Sequence, residues 1–444
     1  MIYSNMRYNT RKITAFRPIL ILRENLLLIS AILLPIFPTG DIFSLIILMI
    51  MMFRKRIPDA MLGIILVALS NPAIFSNDVF SFGRWIILFL FIIISVFNFR
   101  SRSVGIDYAI LSLAVYMFWG SFFVSSIPAL SFFKATAFIF TLWLLINGRQ
   151  FSWLKFSKRM DGFIPIYILS SVPLILVPQI GKQLNGLGFQ GFTNQPQTFG
   201  VLCAGFAVWL YSRVWSGTVT VSHWVIWASL AGLLYLIIES QARIALISAF
   251  VGLILVYLIH VATNLKQIAR ALSLGIIVFT SCSLIYTQTS IVQNFINKER
   301  IGGVRENSSV NSRAVLIDRS LQNYTRSPII GIGFGIPSSF DSVLLIYDPI
   351  FRTTIGANSE KGVWLSAVLE ELGVAGFLIF MALIFSLFLY AGYVKSYMSM
   401  AMLVYMLTSN LGEMTMFSMG AFGLIQWLLF FSLLFGNRKL ENPL

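Results

Sequence analysis

Stretches of predominantly apolar residues return along nearly the whole chain, separated by short segments in which the basic residues cluster. That alternation restricts the fold more than any motif does. A run of about 20 apolar residues, rising 1.5 Å per residue as a helix, crosses the roughly 30 Å hydrocarbon core of a bilayer and satisfies its own backbone there. Of the 444 residues, 57% are hydrophobic and 11% charged, whereas about a quarter are charged in a soluble domain. The runs mark candidate spans at 26–38, 41–53, 59–76, 84–98, 105–123, 129–147, 161–177, 196–212, 222–238, 243–262, 271–288, 363–391, 395–410 and 416–435. The first two are short for a crossing, so the sequence predicts an all-α, polytopic membrane helix bundle of about 12–14 spans.

A net charge of +15 raises nucleic acid as a partner. The positive residues, however, sit in short clusters between apolar runs, where they act as topology signals, and no nucleic-acid role is expected. With the N-terminus placed in the cytoplasm, 20 of the 32 basic residues fall on that side. Eight more (Lys298, Arg300, Arg305, Arg313, Arg319, Arg326, Arg352 and Lys361) belong to the one long polar segment, leaving Arg84, Lys134, Lys182 and Arg243. Both termini are therefore expected in the cytoplasm, with the long loop outside. The chain divides into a membrane bundle over 1–288, a large outward loop over 289–362 and C-terminal spans over 363–444. Cys203 and Cys282 lie inside apolar runs, and His223 and His260 flank spans singly. They form neither a disulfide framework nor a metal-ligand pattern, and neither metal nor cofactor is expected. Met1 to Arg23 reads as a basic amphipathic leader rather than a cleavable signal peptide. No internal repeat is visible, which argues against an inverted-repeat transporter.

Four polar stretches stand out against this background. In Glu239-Ser240-Gln241-Ala242-Arg243, an arginine sits where one span exits outward and the next returns. Such a residue snorkels, holds an anion, or pairs with Glu239 four positions back. In Asn311 to Pro337, Asn311 or Ser312 is expected to cap a helix over Arg313–Tyr324, with Ala314, Leu316, Ile317 and Leu321 packing on the bundle. Pro328 breaks that helix, and Gly331, Gly333 and Gly335 form a turn. Arg319 and Arg326, seven apart, lie nearly on one face. The forked guanidinium suits phosphate oxygens, and a solvated basic loop near anionic head groups is the competing account. Asn358-Ser359-Glu360-Lys361-Gly362 opens the span that carries Glu370 and Glu371, which lie about two turns in and require partners at that depth. The fourth stretch, Gly186 to Gly200, offers Asn194 and Gln197 as hydrogen-bonding groups for a sugar, or forms an ordinary re-entrant turn.

Together these stretches resemble the O-antigen ligase and polymerase superfamily of bacterial envelope glycosyltransferases, over roughly Gly186 to Phe377. Ser240 to Arg243, followed by an apolar span, resembles the family's Ser-x-Ser-Arg, with Ala242 in place of the second serine. Asn311 to Gly335 resembles the loop in which an arginine precedes a short amphipathic helix and a Pro-x-x-Gly-x-Gly turn. Asn194 and Pro196 match an Asn-Pro loop loosely. The resemblance carries phosphate-binding roles to Arg243 and Arg313. One departure matters: counting back from Gly373 and Gly376 places Gly362 where family ligases carry a histidine. The histidine base does not transfer, which favours a repeat-unit polymerase over a ligase.

The resemblance implies transfer of a glycan from undecaprenyl diphosphate to a sugar hydroxyl with inversion, at the periplasmic face of the bacterial inner membrane. Arg243 and Arg313 would steady the departing diphosphate, and Glu360 is the candidate base for the acceptor hydroxyl, with a structural salt bridge as its competing role. Arg305, Arg319, Arg326, Lys361, Asn194 and Gln197 are candidate substrate-binding residues, Lys361 turning toward the diphosphate. The implied partners are the lipid-linked oligosaccharide, membrane lipid, a chain-length regulator and a flippase. A ligase acting on a lipid A core, a lipid-linked oligosaccharide transporter and an assembly scaffold are the alternatives.

Overall fold

A computed structural model describes residues 18–75, 79–97, 103–148, 151–182, 188–261, 309–339, 345–347, 354–357, 361–412 and 414–436. Fifteen α-helices are described: α1 (Pro18–Leu33), α2 (Gly40–Phe53), α3 (Ile57–Ala68), α4 (Phe80–Val96), α5 (Val104–Phe123), α6 (Pro128–Asn147), α7 (Trp153–Ser171), the short α8 (Pro178–Gly181), α9 (Pro196–Trp215), α10 (His223–Ser240), α11 (Arg243–Val261), α12 (Ser309–Arg326), α13 (Trp364–Tyr393), α14 (Tyr397–Ser409) and α15 (Phe422–Phe435). Every expected apolar run except 271–288, which lies outside the described residues, has its helix. Among the described residues seven helices are long and apolar enough to cross a membrane, and shorter apolar helices accompany them. The chain is a multi-pass, all-α membrane protein. One small exception interrupts the helices: an antiparallel pair, β1 (Leu345–Tyr347) and β2 (Thr354–Ala357), within the long loop.

Burial sorts the helices as a bilayer would. On α5, Leu111, Val115 and Phe122 are exposed, as are Leu378, Phe385 and Leu389 on α13. These apolar faces suit lipid rather than water. Every residue of α15 is buried, as expected of a helix that is hydrophobic all round. Its polar atoms are matched from within: the indole N–H of Trp209 donates to Ser432 Oγ at 2.7 Å, and that of Trp427 to the Met416 carbonyl at 2.8 Å.

The bundle has two chemically distinct ends. At one, Asp59 of α3 takes a bidentate pair from Arg159 of α7. Nearby in the chain, Asp161 accepts from Arg213 at 3.1 and 2.8 Å and from the backbone N–H and hydroxyl of Thr220 at 3.0 and 2.9 Å. Arg213 completes its set with the hydroxyl and carbonyl of Thr218. Both charges are buried and fully matched. Removing one strands the other, at a cost of about 3–5 kcal/mol. Asp161→Ala is therefore expected to lower the thermal midpoint in detergent sharply, while Asp161→Ala with Arg213→Met recovers much of the loss. An unchanged midpoint in the single variant would contradict this account.

Several boundaries differ from the sequence reading: α1 starts at Pro18 rather than 26, α3 ends at Ala68 rather than 76 and α15 starts at Phe422 rather than 416, and two more concern polar residues. Helix α7 starts at Trp153 rather than 161, because its first turns carry Lys155, Lys158 and Arg159, which hydropathy discards but Asp59 and solvent accommodate. Helix α12 starts at Ser309, so Asn311 and Ser312 lie inside its first turn rather than capping it.

Candidate functional site

At the other end of the bundle, α13 is interrupted. Gly373 adopts φ 62° and ψ −173°, a region open essentially to glycine alone. In an unbroken helix the N–H groups of Val374 and Ala375 would donate to the carbonyls of Glu370 and Glu371. Instead the turn that follows α12 is inserted between them. The N–H groups of Ile332 and Gly333 donate to Glu370 O and Glu371 O at 2.9 and 3.0 Å, and the carbonyls of Pro328 and Ile329 accept from Val374 and Ala375 at 2.9 and 3.2 Å. The Tyr116 hydroxyl of α5 covers the Leu372 carbonyl at 2.7 Å. Two helical bonds have become four, so irregular backbone is accommodated here with its polar groups satisfied. A side chain on Gly373 would overlap the Ile329 carbonyl, and one on Gly331 the Glu371 carbonyl.

This junction aims two buried carboxylates. Glu370 has no exposed surface. It accepts from Ser320 at 2.9 Å and Asn323 at 2.6 Å on α12, from Ser338 at 2.9 Å after the turn, and from Lys361 at 3.2 Å. Glu371 accepts from the Gly335 N–H at 2.8 Å and from Lys361 at 2.7 Å. Lys134 of α6 reaches the same turn, donating to the Gly335 carbonyl at 2.7 Å. Burial alone would lower the Lys361 pKa, but Glu371 and Glu370 outweigh it and hold the ammonium above the ordinary lysine range. Lys361, expected to turn toward a diphosphate, directs its charge inward, where it is shared between two carboxylates. A buried ammonium follows the nearest anions, and Glu370 and Glu371 stand 3.2 and 2.7 Å from it.

The other two polar stretches also come together. Gln241 takes a left-handed turn at φ 54° between α10 and α11, and the Ala242 N–H is held by Ser240 Oγ at 3.3 Å. The segment beginning at Gly188 lies against this turn. The Phe189 N–H donates to the Glu239 carbonyl at 2.8 Å, and that of Asn194 to the Leu69 carbonyl at 2.8 Å. Gly200 of α9 packs so closely that a side chain there would meet Ser240 Oγ and Ala242 Cβ, each at 2.5 Å. The position where the family pattern has serine is thus filled by a small buried alanine. Arg243 opens α11 and is half-buried.

Helix α14 joins the two halves. Ile244, next to Arg243, lies against Gly412, and the Asn410 carbonyl accepts from the Trp364 N–H at 3.1 Å. Gly362 in turn packs on Leu316 and Ile317 of α12. The start of α11, the start of α13 and the body of α12 therefore occupy one end of the bundle, with the Asn410–Gly412 turn between them. Arg319 and Arg326 are exposed there, and Gln197 is half-buried in the first turn of α9. The side-chain oxygen of Asn194 is buried without a hydrogen-bond partner among the described residues. Glu360, Arg305 and the side chain of Arg313 lie outside the described residues. Among the described residues no three His, Cys, Asp or Glu side chains gather as a metal-binding group.

Sequence reasoning placed Glu370 and Glu371 at depth and in need of partners, without assigning them a role in the site. The signal was their adjacency inside an apolar run. The family model described as O-Antigen ligase matches residues 228–381, about a third of the chain. It takes in the α10–α11 turn, α12 and the broken part of α13, and supports the O-antigen ligase and polymerase superfamily. No curated protein matches the chain.

Proposed function

With an O-antigen ligase match spanning the helices that carry this site, we propose that the protein is an inverting membrane glycosyltransferase. It polymerises undecaprenyl-diphosphate-linked oligosaccharide repeats at the periplasmic face of the bacterial inner membrane. The observation that carries this reading is the gathering of Arg243, α12 and the start of α13 at one bundle end, within the matched segment. An acceptor hydroxyl oxygen bonds to the anomeric carbon as the bond from that carbon to the diphosphate breaks. The proton passes to a base, for which Glu360 is the candidate, and lipid diphosphate leaves. Charge grows on the leaving oxygen, where guanidinium groups preorganised at a low-dielectric boundary act most strongly.

The family description itself favours a second reading, a ligase that hands the glycan to a lipid core acceptor. Purified protein given defined lipid-linked repeat units alone separates the two. A polymerase yields a ladder of lengths, whereas product that appears only after core lipid is added identifies a ligase. Unaltered glycans under both conditions would end the glycosyltransferase reading and leave the transporter and the scaffold.

A further inference from the structure

Glu370 gathers donors from three separate segments, and two of them are on α12. Ser320 and Asn323 lie one turn apart on the face that also carries Leu316 and Ile317, which pack against Gly362. Position 313 is seven residues before Ser320, so the helix backbone places it about 20° away around the axis. We propose that Glu370 is a positioning residue: it latches α12 to α13 and thereby sets where Arg313 stands relative to Arg243 and the start of α13. This rests on the role given to Arg313 in the proposed transfer reaction.

The choice of residue supports the assignment. A seam of leucine and isoleucine alone would hold α12 in place but leave its rotation and register loosely specified. A buried carboxylate tolerates only the register that brings all its donors within reach, and register control is the best-attested use of buried charge. Glu371 cannot take this part, because its recorded partners are Gly335 and Lys361 rather than α12. The inserted turn reinforces the latch from the far end, where Ile332 and Gly333 are tied to the carbonyls of Glu370 and Glu371.

The test couples a distance to a rate. Spin labels at Leu321→Cys on α12 and Leu378→Cys on α13, both exposed positions, are placed in a background with Cys203→Ala and Cys282→Ser that retains transfer. The parent should give one narrow distance. Ser320→Ala with Asn323→Ala leaves Glu370 paired with Lys361 and Ser338, so the bundle is kept while α12 is released. Glu370→Gln is the second variant. Both should broaden the distance and lower kcat by about 10²-fold, as small displacements of a charge-stabilising group do, with KM for the lipid-linked donor within about twofold because ground-state binding is spared. An unchanged distance in both variants overturns the latch, whatever happens to kcat. A broadened distance with kcat intact sustains the latch and removes Arg313 from the reaction. If the parent transfers no glycan, the proposed function fails while the distances still decide the role of Glu370.

Discussion

Arg313→Ala and Arg243→Ala, made separately, are expected to reduce glycan transfer by about 10²–10³-fold in kcat, the loss typical of removing one preorganised donor to a developing anion. Both proteins should still accumulate in the membrane at the parental level. Lysine at either position should restore only part of the rate. It keeps the charge but replaces the planar fork, which offers two parallel donors to phosphate oxygens, with a mobile point charge. The measurement is single-turnover transfer from lipid-linked repeat units, normalised to folded protein by size-exclusion in detergent. Full activity in either alanine variant would take that arginine out of the site. A loss that tracks only with reduced protein would mean the residue supports the fold instead. Leu378→Ala, on the outer face of α13, is the control and should transfer at the parental rate.

Gly373→Ala is expected to destabilise the protein by about 3–5 kcal/mol, adding the strain of a left-handed backbone to the overpacking of a closed contact. The methyl group has nowhere to go, because the Ile329 carbonyl already occupies its place. The helix cannot relieve the clash by straightening, since Pro328 to Gly333 fill the gap between the carbonyls and N–H groups that would have to rejoin. Undocking the turn would in turn free Glu371 from Gly335 and disturb the setting of Lys361. Gly105→Ala on α5 is the matched control, because open space surrounds that position and alanine gains helix propensity there. The midpoint of thermal unfolding in detergent should drop for the first and hold or rise for the second. Equal midpoints would show that the break in α13 is not needed for the fold.

What the sequence determined by itself follows from local properties. A span needs only a long apolar run, so the helices α2 to α6, α9 to α11 and α13 to α15 could be placed from residue order. The segregation of basic clusters set an expectation of which ends share a side, before any packing was known. The amphipathic spacing of Leu316 and Ile317 together with Pro328 was enough to place α12 and its end, but Leu321, expected to pack on the bundle, is exposed because it lies off the seam that meets Gly362. The tertiary structure decided everything that depends on distant neighbours. Nothing near Gly373 announces that a carbonyl 44 positions earlier will press against it. Two adjacent glutamates imply partners but do not name them, and Ser320, Asn323, Ser338 and Lys361 reach Glu370 only after α12 and its turn have docked. The inward turn of Lys361 was hidden for the same reason: where a long cationic side chain points is chosen by the anions around it once the chain has closed, and that choice leaves no trace in local periodicity.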